Sequence, residues 1–596
     1  MIFRRLTKLK KIWHERGTRG TLEFIYWRIL ERSRRQTTYR QWVAQHRSKL
    51  DRLAAETEMA QWQARPTFSV IMPVYNVEAT WLKKAIESVR RQLYPNWELC
   101  IADDASTNPD IQPLLAHYSR VDPRIKIVFR SENGNISAAS NSALELATGD
   151  YIALLDHDDE LAIEALFEVA KLINQRPNAD FIYTDEDKLD PKGNRCDPFF
   201  KPDWSPEYFH ACMYTCHLGV YRASLIRQIG GFRVGYEGAQ DYDLVLRVVE
   251  QTSNIYHLPK VLYHWRVIPA SVTSGEQAKP WAYLAARKAL EEMVARSAYP
   301  GRVETTDRAG FFRVRREPQG QPLISIIIPS AGKTIETANG SLCLLENCIR
   351  SIQERSSYRN FELVLVDGYD IPEAVLQAIC EHVPDPATLH LVRCREPFNF
   401  SRRINYGAAK ASGEVLLLLN DDTEVVTPDW LESMLEFAQQ REIGAVGAKL
   451  LFPDRRLQHV GVMVLNGNPG HAFYGMQDDH PGYFCSNIVN RNYLAVTGAC
   501  LMMRQDVFQQ INGMDEAFPL NYNDVDLCLK AHQAGFRNVV TPFAQLVHYE
   551  SVSREKGLQP KEWQNFNHKW RSYLDALEYD PYYNPNLSNR DVLFEL

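Results

Sequence analysis

Residues 150–161, DYIALLDHDDEL, run from an apolar stretch straight into Asp156, His157, Asp158, Asp159 and Glu160. Carboxylates this close repel one another, so their placement at the end of a strand-like run needs a partner. A divalent cation would serve: Mg2+ and Mn2+ prefer oxygen ligands, and Mg2+ is typically held by one or two carboxylates together with substrate phosphates. The competing reading is a solvated acidic turn leading into the next helix, because Asp and Glu suit a helix N-terminus. A second segment, EVLLLLNDDTEV at 414–425, repeats the arrangement and favours the metal. Asp241 in GAQDYDLVLR and Asp524 in NYNDVDLCLK open two helical patterns. One Asp of each D-x-D can cap its helix, and the other is free to act as a general base on an attacking hydroxyl. His264 in VLYHWR and His548 in QLVHYE read equally as metal ligands or as core histidines.

These pairs belong to an internal repeat. With a constant offset of 264, residues 132–161 align without a gap on 396–425. Asn135, Ser137, Asn141, Gly149 and Asp158 then meet Asn399, Ser401, Asn405, Gly413 and Asp422. The same offset places FELVLVDG on WELCIADD, pairing Asp367 with Asp103. With insertions, Asp524 pairs with Asp241 and His548 with His264. The chain therefore reads as a duplicated unit of roughly 230 residues, within the usual size range of a domain.

The elements that must position these residues follow from patterning. In the first unit the apolar runs FSVIMPVYN, WELCIADD, RIKIVF and YIALLD alternate with helical segments such as EATWLKKAIESVRRQ, whose Leu82, Ile86 and Val89 recur at helical spacing. Near-continuous apolar strands alternating with helices predict an α/β fold whose mostly parallel sheet is covered on both faces. Ligands of such sheets bind beyond the carboxyl ends of the strands, where Asn76, Asp103 and Asp156 all fall.

Composition limits the alternatives. A chain of 596 residues exceeds one ordinary core, and its net charge of −6 gives no reason to expect nucleic acid. Residues 1–50 carry 14 Lys and Arg against 3 Glu, so the basic charge is concentrated at one end. There Trp13, Phe24, Tyr26 and Trp27 accompany the cations. Such a helix suits an anionic membrane surface; packing on the first unit is the equal alternative. The eleven cysteines form no CxxC pair and read as reduced thiols. With no apolar span long enough for a bilayer and no secretory signal, the expectation is a cytoplasmic chain with peripheral contact at the inner face of the membrane.

FSVIMPVYN, ELCIADDAS, ALLDHDD and EGAQDYDL, in that order, resemble the successive motifs of family 2 glycosyltransferases, inverting enzymes of the GT-A fold that use nucleotide-diphosphate sugars. The resemblance spans roughly 67–270 and 323–555 and implies two tandem GT-A (Rossmann-like) domains. It implies that Pro73, Tyr75, Asn76 and Asp103, with Pro329 and Asp367 in the second unit, hold the nucleotide sugar. Asp241 and Asp524 would be the catalytic bases. Asp156, Asp158 and His264, with Asp422 and His548, would hold a divalent cation, Mg2+ or Mn2+. The second unit departs at three points: no aromatic stands where Tyr75 does, Asp104 becomes Gly368, and Asp156 becomes Asn420. An amide oxygen can still ligate a hard cation, with less charge. The segment VTGACLMMR followed by NGMDEAF is similar to the acceptor side of rhamnosyltransferase-like members.

The expected domains are a basic helical extension (1–66), a first transferase unit (67–297), a linker (298–322), a second unit (323–556) and a tail packed on the second unit (557–596). The expected function is a bifunctional transferase that builds a surface polysaccharide such as an O-antigen on a glycan or lipid-linked glycan. One active unit fused to an inactive carbohydrate-binding unit is the alternative. A sugar nucleotidyltransferase is disfavoured, because PVYNVEATW lacks the glycine-rich phosphate loop such enzymes place after the first strand.

Overall fold

The computed structural model describes residues 37–46, 51–268, 280–337, 340–549 and 560–596. The aromatic and basic residues 1–36 lie outside the described residues. Residues 37–45 form a helix whose Tyr39 is buried.

Each unit is built on one large sheet. In the first, the order is Ile125–Phe129, Trp97–Asp103, Phe68–Val74, Tyr151–Leu154, Gly219–Arg222, Phe181–Leu189, Ile255–Arg266 and Glu160–Leu161. In the second it is Leu389–Arg393, Phe361–Asp367, Ile324–Ser330, Val415–Leu419, Cys500–Arg504, Ile443–Leu451, Arg537–His548 and Thr423–Val425, the same succession strand for strand. The first four strands of each order run parallel, and the fifth pairs antiparallel on both of its sides. Helices Ala79–Arg90 and Asn135–Glu145 make the crossovers that parallel pairing demands. The central strand Phe68–Val74 buries Val70 and Met72 completely, and each such side chain contributes roughly 1.5–3 kcal/mol.

Two hydrogen-bonded clasps recur in both units. Ser69 Oγ donates to Glu98 Oε1 (2.6 Å) and accepts from Gly149 N (2.9 Å). Ser325 Oγ donates to Glu362 Oε1 (2.6 Å) and accepts from Gly413 N (2.8 Å). A Cβ on Gly149 would stand 2.6 Å from Thr67 O, and one on Gly413 would stand 2.5 Å from Leu323 O, so the close approach explains both glycines. Asn141 clamps the backbone of Phe232 through donor and acceptor alike, as Asn405 does that of Met514. Asn141 and Asn405 are thus repeated because each satisfies a loop that would otherwise leave buried backbone groups unpaired.

Residues 298–322 hold an antiparallel pair, Gly301–Thr305 with Phe312–Arg316. Arg313 of this pair donates to Ser433 Oγ and Glu436 Oε1 of the second unit. The units also meet directly: buried Glu207 accepts from Arg537 Nη2 (2.8 Å) and Asn492 Nδ2 (2.5 Å). Within 557–596, helix Pro560–Ala576 buries Phe566 and Trp570 among second-unit residues, while Asn584 Nδ2 reaches Asp185 and Lys201 O of the first. No helix among the described residues is long and apolar enough to cross a membrane.

Candidate active sites

In the first unit the ends of the parallel strands carry the residues singled out by sequence. Tyr75 is 46% exposed. Asn76, at φ 47°, accepts from the N–H groups of Thr107 and Asn108 through its Oδ1 and so ties the first rim turn to the second. His157 Nδ1 lies 3.0 Å from the carbonyl of Pro73. Asp103 is fully buried; its Oδ1 accepts from Ser106 N at 3.4 Å, and Oδ2 has no hydrogen-bond partner among the described residues. A buried acceptor without a partner is costly, and a donor group of a ligand in the rim would satisfy it.

The acidic cluster divides by role. Asp159 is buried and accepts from Tyr263 OH (2.6 Å) and Arg266 N (2.7 Å). Glu160 pairs with the Arg266 guanidinium. These two carboxylates anchor the turn to strand Ile255–Arg266 instead of capping a helix, because helix Ala165–Gln175 starts five residues after Glu160. Asp156 and Asp158 are half-buried. Burial pushes the Asp158 carboxyl above the usual range; His157 opposes this and Asp156 adds to it.

His264 is registered opposite Asp187 on the neighbouring strand, with Nδ1 2.6 Å from Asp187 Oδ1. Since a carboxylate can only accept, Nδ1 carries the proton and Nε2 is left as the ligand face. Asp187 also accepts from Tyr39 OH (2.6 Å) and Arg195 Nε (2.5 Å). Its carboxyl is held low: the cost of burial is outweighed by His264, Arg195 and Tyr39. Asp187 was not identified from sequence. The available signal was FIYTDEDKL, three carboxylates on a strand whose other residues are mostly apolar. Asp156, Asp158 and His264 offer the oxygen and imidazole donors that a divalent cation takes. Among the described residues no three His, Cys, Asp or Glu side chains are gathered as a ligand set, so these side chains alone do not form a closed metal site.

Helix Gln240–Val249 separates its two acids. Asp243 is buried against Arg233 and Arg247. Asp241 accepts only from its own following N–H, Tyr242 N at 2.8 Å, among the bonds the structure assigns it. Burial pushes its carboxyl up, with Asp156 adding to the effect and His217 opposing it. Neither Asp caps the helix, whose N-cap is Ala239.

The second unit keeps this division. Asp526 is buried against Lys569 (2.6 Å) and Trp570 Nε1 (2.8 Å), while Asp524 accepts from Gly498 N (2.9 Å) and Val525 N (2.8 Å). The histidine environment differs. His548 Nδ1 lies 2.6 Å from Gln458 Oε1, and Nε2 lies 3.0 Å from Asp422 Oδ1 and 3.3 Å from Asn420 Nδ2. Asp367 is fully buried and accepts from the N–H groups of Asp370 and Ile371 through Oδ1. Pro329 lies on the buried strand beside it, paired with Val366.

The sequence profile described as glycosyl transferase family 2 matches residues 69–230 and 325–511. Over 93% of its length the chain is 42% identical to the uncharacterized protein y4gI of Sinorhizobium fredii, covering 61% of that protein. Over 90% it is 37% identical to the O-antigen biosynthesis protein RfbC of Myxococcus xanthus, covering 41% of it. A putative teichuronic acid biosynthesis glycosyltransferase of Bacillus subtilis, TuaG, is 30% identical over 37% of this chain and 85% of its own. The chain thus spans less than two thirds of the first two relatives.

Proposed function

From a chain that belongs to glycosyl transferase family 2 in both of its repeated units, we propose a bifunctional inverting glycosyltransferase that acts in surface polysaccharide biosynthesis. Each unit takes a nucleotide-diphosphate sugar and transfers its sugar to a growing glycan, lipid-linked in this reading. The observation that carries it is the repeated separation of two acids on one helix. Asp243 and Asp526 are consumed by buried ion pairs, while among the described residues Asp241 and Asp524 are bonded only by backbone N–H groups. A raised carboxyl such as Asp241 is better suited to accept a proton near neutrality.

In the first unit Tyr75 and Asp103 hold the nucleotide at the rim, and Asp241 removes the proton from an acceptor hydroxyl. The hydroxyl oxygen attacks the anomeric carbon, and the nucleoside diphosphate leaves from the opposite face, which inverts the configuration. Asp156, Asp158 and His264 would hold Mg2+ or Mn2+, which as a Lewis acid would stabilise negative charge on the departing diphosphate. Asp187 keeps the His264 ring in one tautomer and orientation.

A second reading, one active unit joined to an inert glycan-binding one, is favoured by the contacts of Asp422 and Asn420 with His548, which close the second centre on itself. Screening nucleotide sugars for nucleoside diphosphate release, with and without Mg2+ or Mn2+, tests the proposal. Release in two independent donor or acceptor dependences supports it, and absence of release with every donor tried would refute it.

A further inference from the structure

The second unit lacks Tyr75's counterpart, yet its rim still presents an aromatic ring. The two rim turns carry a residue at positive φ at the same place in both units. Asn76 and Gly332 follow the first strand at φ 47° and 63°, and Ala105 and Tyr369 follow the second strand at 57° and 68°. Because Val74 registers with Asp103 and Ser330 with Asp367, the two turns face each other across the same gap in each unit. The first unit has its ring on the first turn and alanine on the second. The second unit has Ala331 on the first turn and Tyr369 on the second.

Tyr369 has the marks of a residue kept for a ligand. It is 48% exposed, close to the 46% of Tyr75. A bulky side chain at positive φ is strained, and such strain is found where function holds it in place. Arg393 and Arg395 stand 4.7 and 5.0 Å from the ring centroid, and Arg393 Nη1 is 3.4 Å from Asp367 Oδ2. An independent feature points to an anion at this rim. Arg403 is 3% exposed; its Nη2 lies 3.5 Å from Asp370 Oδ2, and its Nε has no hydrogen-bond partner among the described residues. Its guanidinium occupies the space that a Cβ on residue 368 would need, which accounts for glycine where the first unit has Asp104. The first unit instead sets Asp104 against Arg130 (2.7 Å). The second unit sets Arg403 against Asp370 instead and adds Arg393 and Arg395, which makes its rim the more positive.

We propose that Tyr369 is the platform on which the second unit stacks the nucleobase of its donor, doing from the second rim turn what Tyr75 does from the first, with Arg393 and Arg403 drawing the anionic nucleotide to that side. Every nucleobase has a π-face, so an aromatic platform can serve from either wall of the gap. The inference rests on the nucleotide-sugar reading above.

Its test is calorimetric titration of the full chain, carrying Tyr75→Ala to weaken the first unit, with UDP, GDP, dTDP, CDP and ADP in turn. Adding Tyr369→Ala is expected to weaken the remaining binding by about tenfold or more, the loss of one base–aromatic stack, while Tyr369→Phe retains it. Circular dichroism melting confirms that each variant is folded. Remaining binding that is unchanged by Tyr369→Ala, or no remaining binding at all in the Tyr75→Ala chain, would overturn the inference and leave the first unit's reading intact. Failure of the unsubstituted chain to bind any of the five would overturn the donor reading and this inference with it.

Discussion

The two centres share a scaffold and differ in what surrounds their histidines. His264 is backed by a charged acceptor, Asp187, itself fixed by Tyr39 and Arg195. His548 is backed by the neutral Gln458 and faces Asp422 and Asn420 with its other nitrogen. The helices with the candidate bases are conserved in arrangement down to the buried second acid. In the proposed reading, duplication has preserved the acceptor-activating side, which a single carboxylate position defines. The same reading has the donor side, where several groups can share the neutralisation of a diphosphate, rebuilt.

This contrast can be broken by experiment. Apart from the candidate bases themselves, the largest difference is expected from Asp187→Asn, which removes the charged acceptor behind His264. First-unit turnover should fall by roughly 10- to 100-fold, and the Mn2+ concentration needed for half-maximal rate should rise, while second-unit product is unaffected. Equal losses in both products would mean that Asp187 acts on the whole fold. Glu207→Ala probes whether the units behave as one body. It strands Arg537 at their junction and should cost about 2 kcal/mol in denaturant unfolding, less than a fully buried pair because Arg537 keeps 30% exposure. Loss confined to one of two separate transitions would contradict a shared junction.

The smallest effect concerns pH. His257 is buried between Asp185 (3.0 Å) and Asp203 (2.9 Å), beside the Asn584 and Tyr579 side chains that bond the same two acids. Burial alone would lower its pKa, but the two carboxylates prevail and raise it to about 9 from 6.5. With a raised folded value, the stabilisation is present in full below about 6.5 and is lost as pH rises through about 9. Thermal melts should show this decline, on the order of 1 kcal/mol, and His257→Gln should flatten it. An unaltered pH profile in the variant would remove His257 from the account.

The duplication was legible because equal offsets along the chain placed equal residues at equal strand ends, and the identical strand orders follow from it. The division of the acidic cluster was only partly legible. An acidic turn leading into a nearby helix is what the local sequence suggests, whereas Tyr263 and Arg266, the partners of Asp159 and Glu160, are about a hundred residues away. A separation of 77 residues likewise concealed Asp187, whose contact with His264 exists through the register of two strands. Tyr369 was hidden for a different reason: an aromatic was sought at the aligned position, while the pocket is defined by two turns and accepts a ring from either one.

The central claim is that each unit catalyses its own transfer with its own base, and the most direct measurement is the product distribution of Asp241→Asn and Asp524→Asn chains supplied with donors and acceptor. Two different truncated glycans are expected, each variant losing about 10²–10⁴-fold in one transfer and retaining the other. Full activity in the Asp524→Asn chain would contradict it and leave a single active centre.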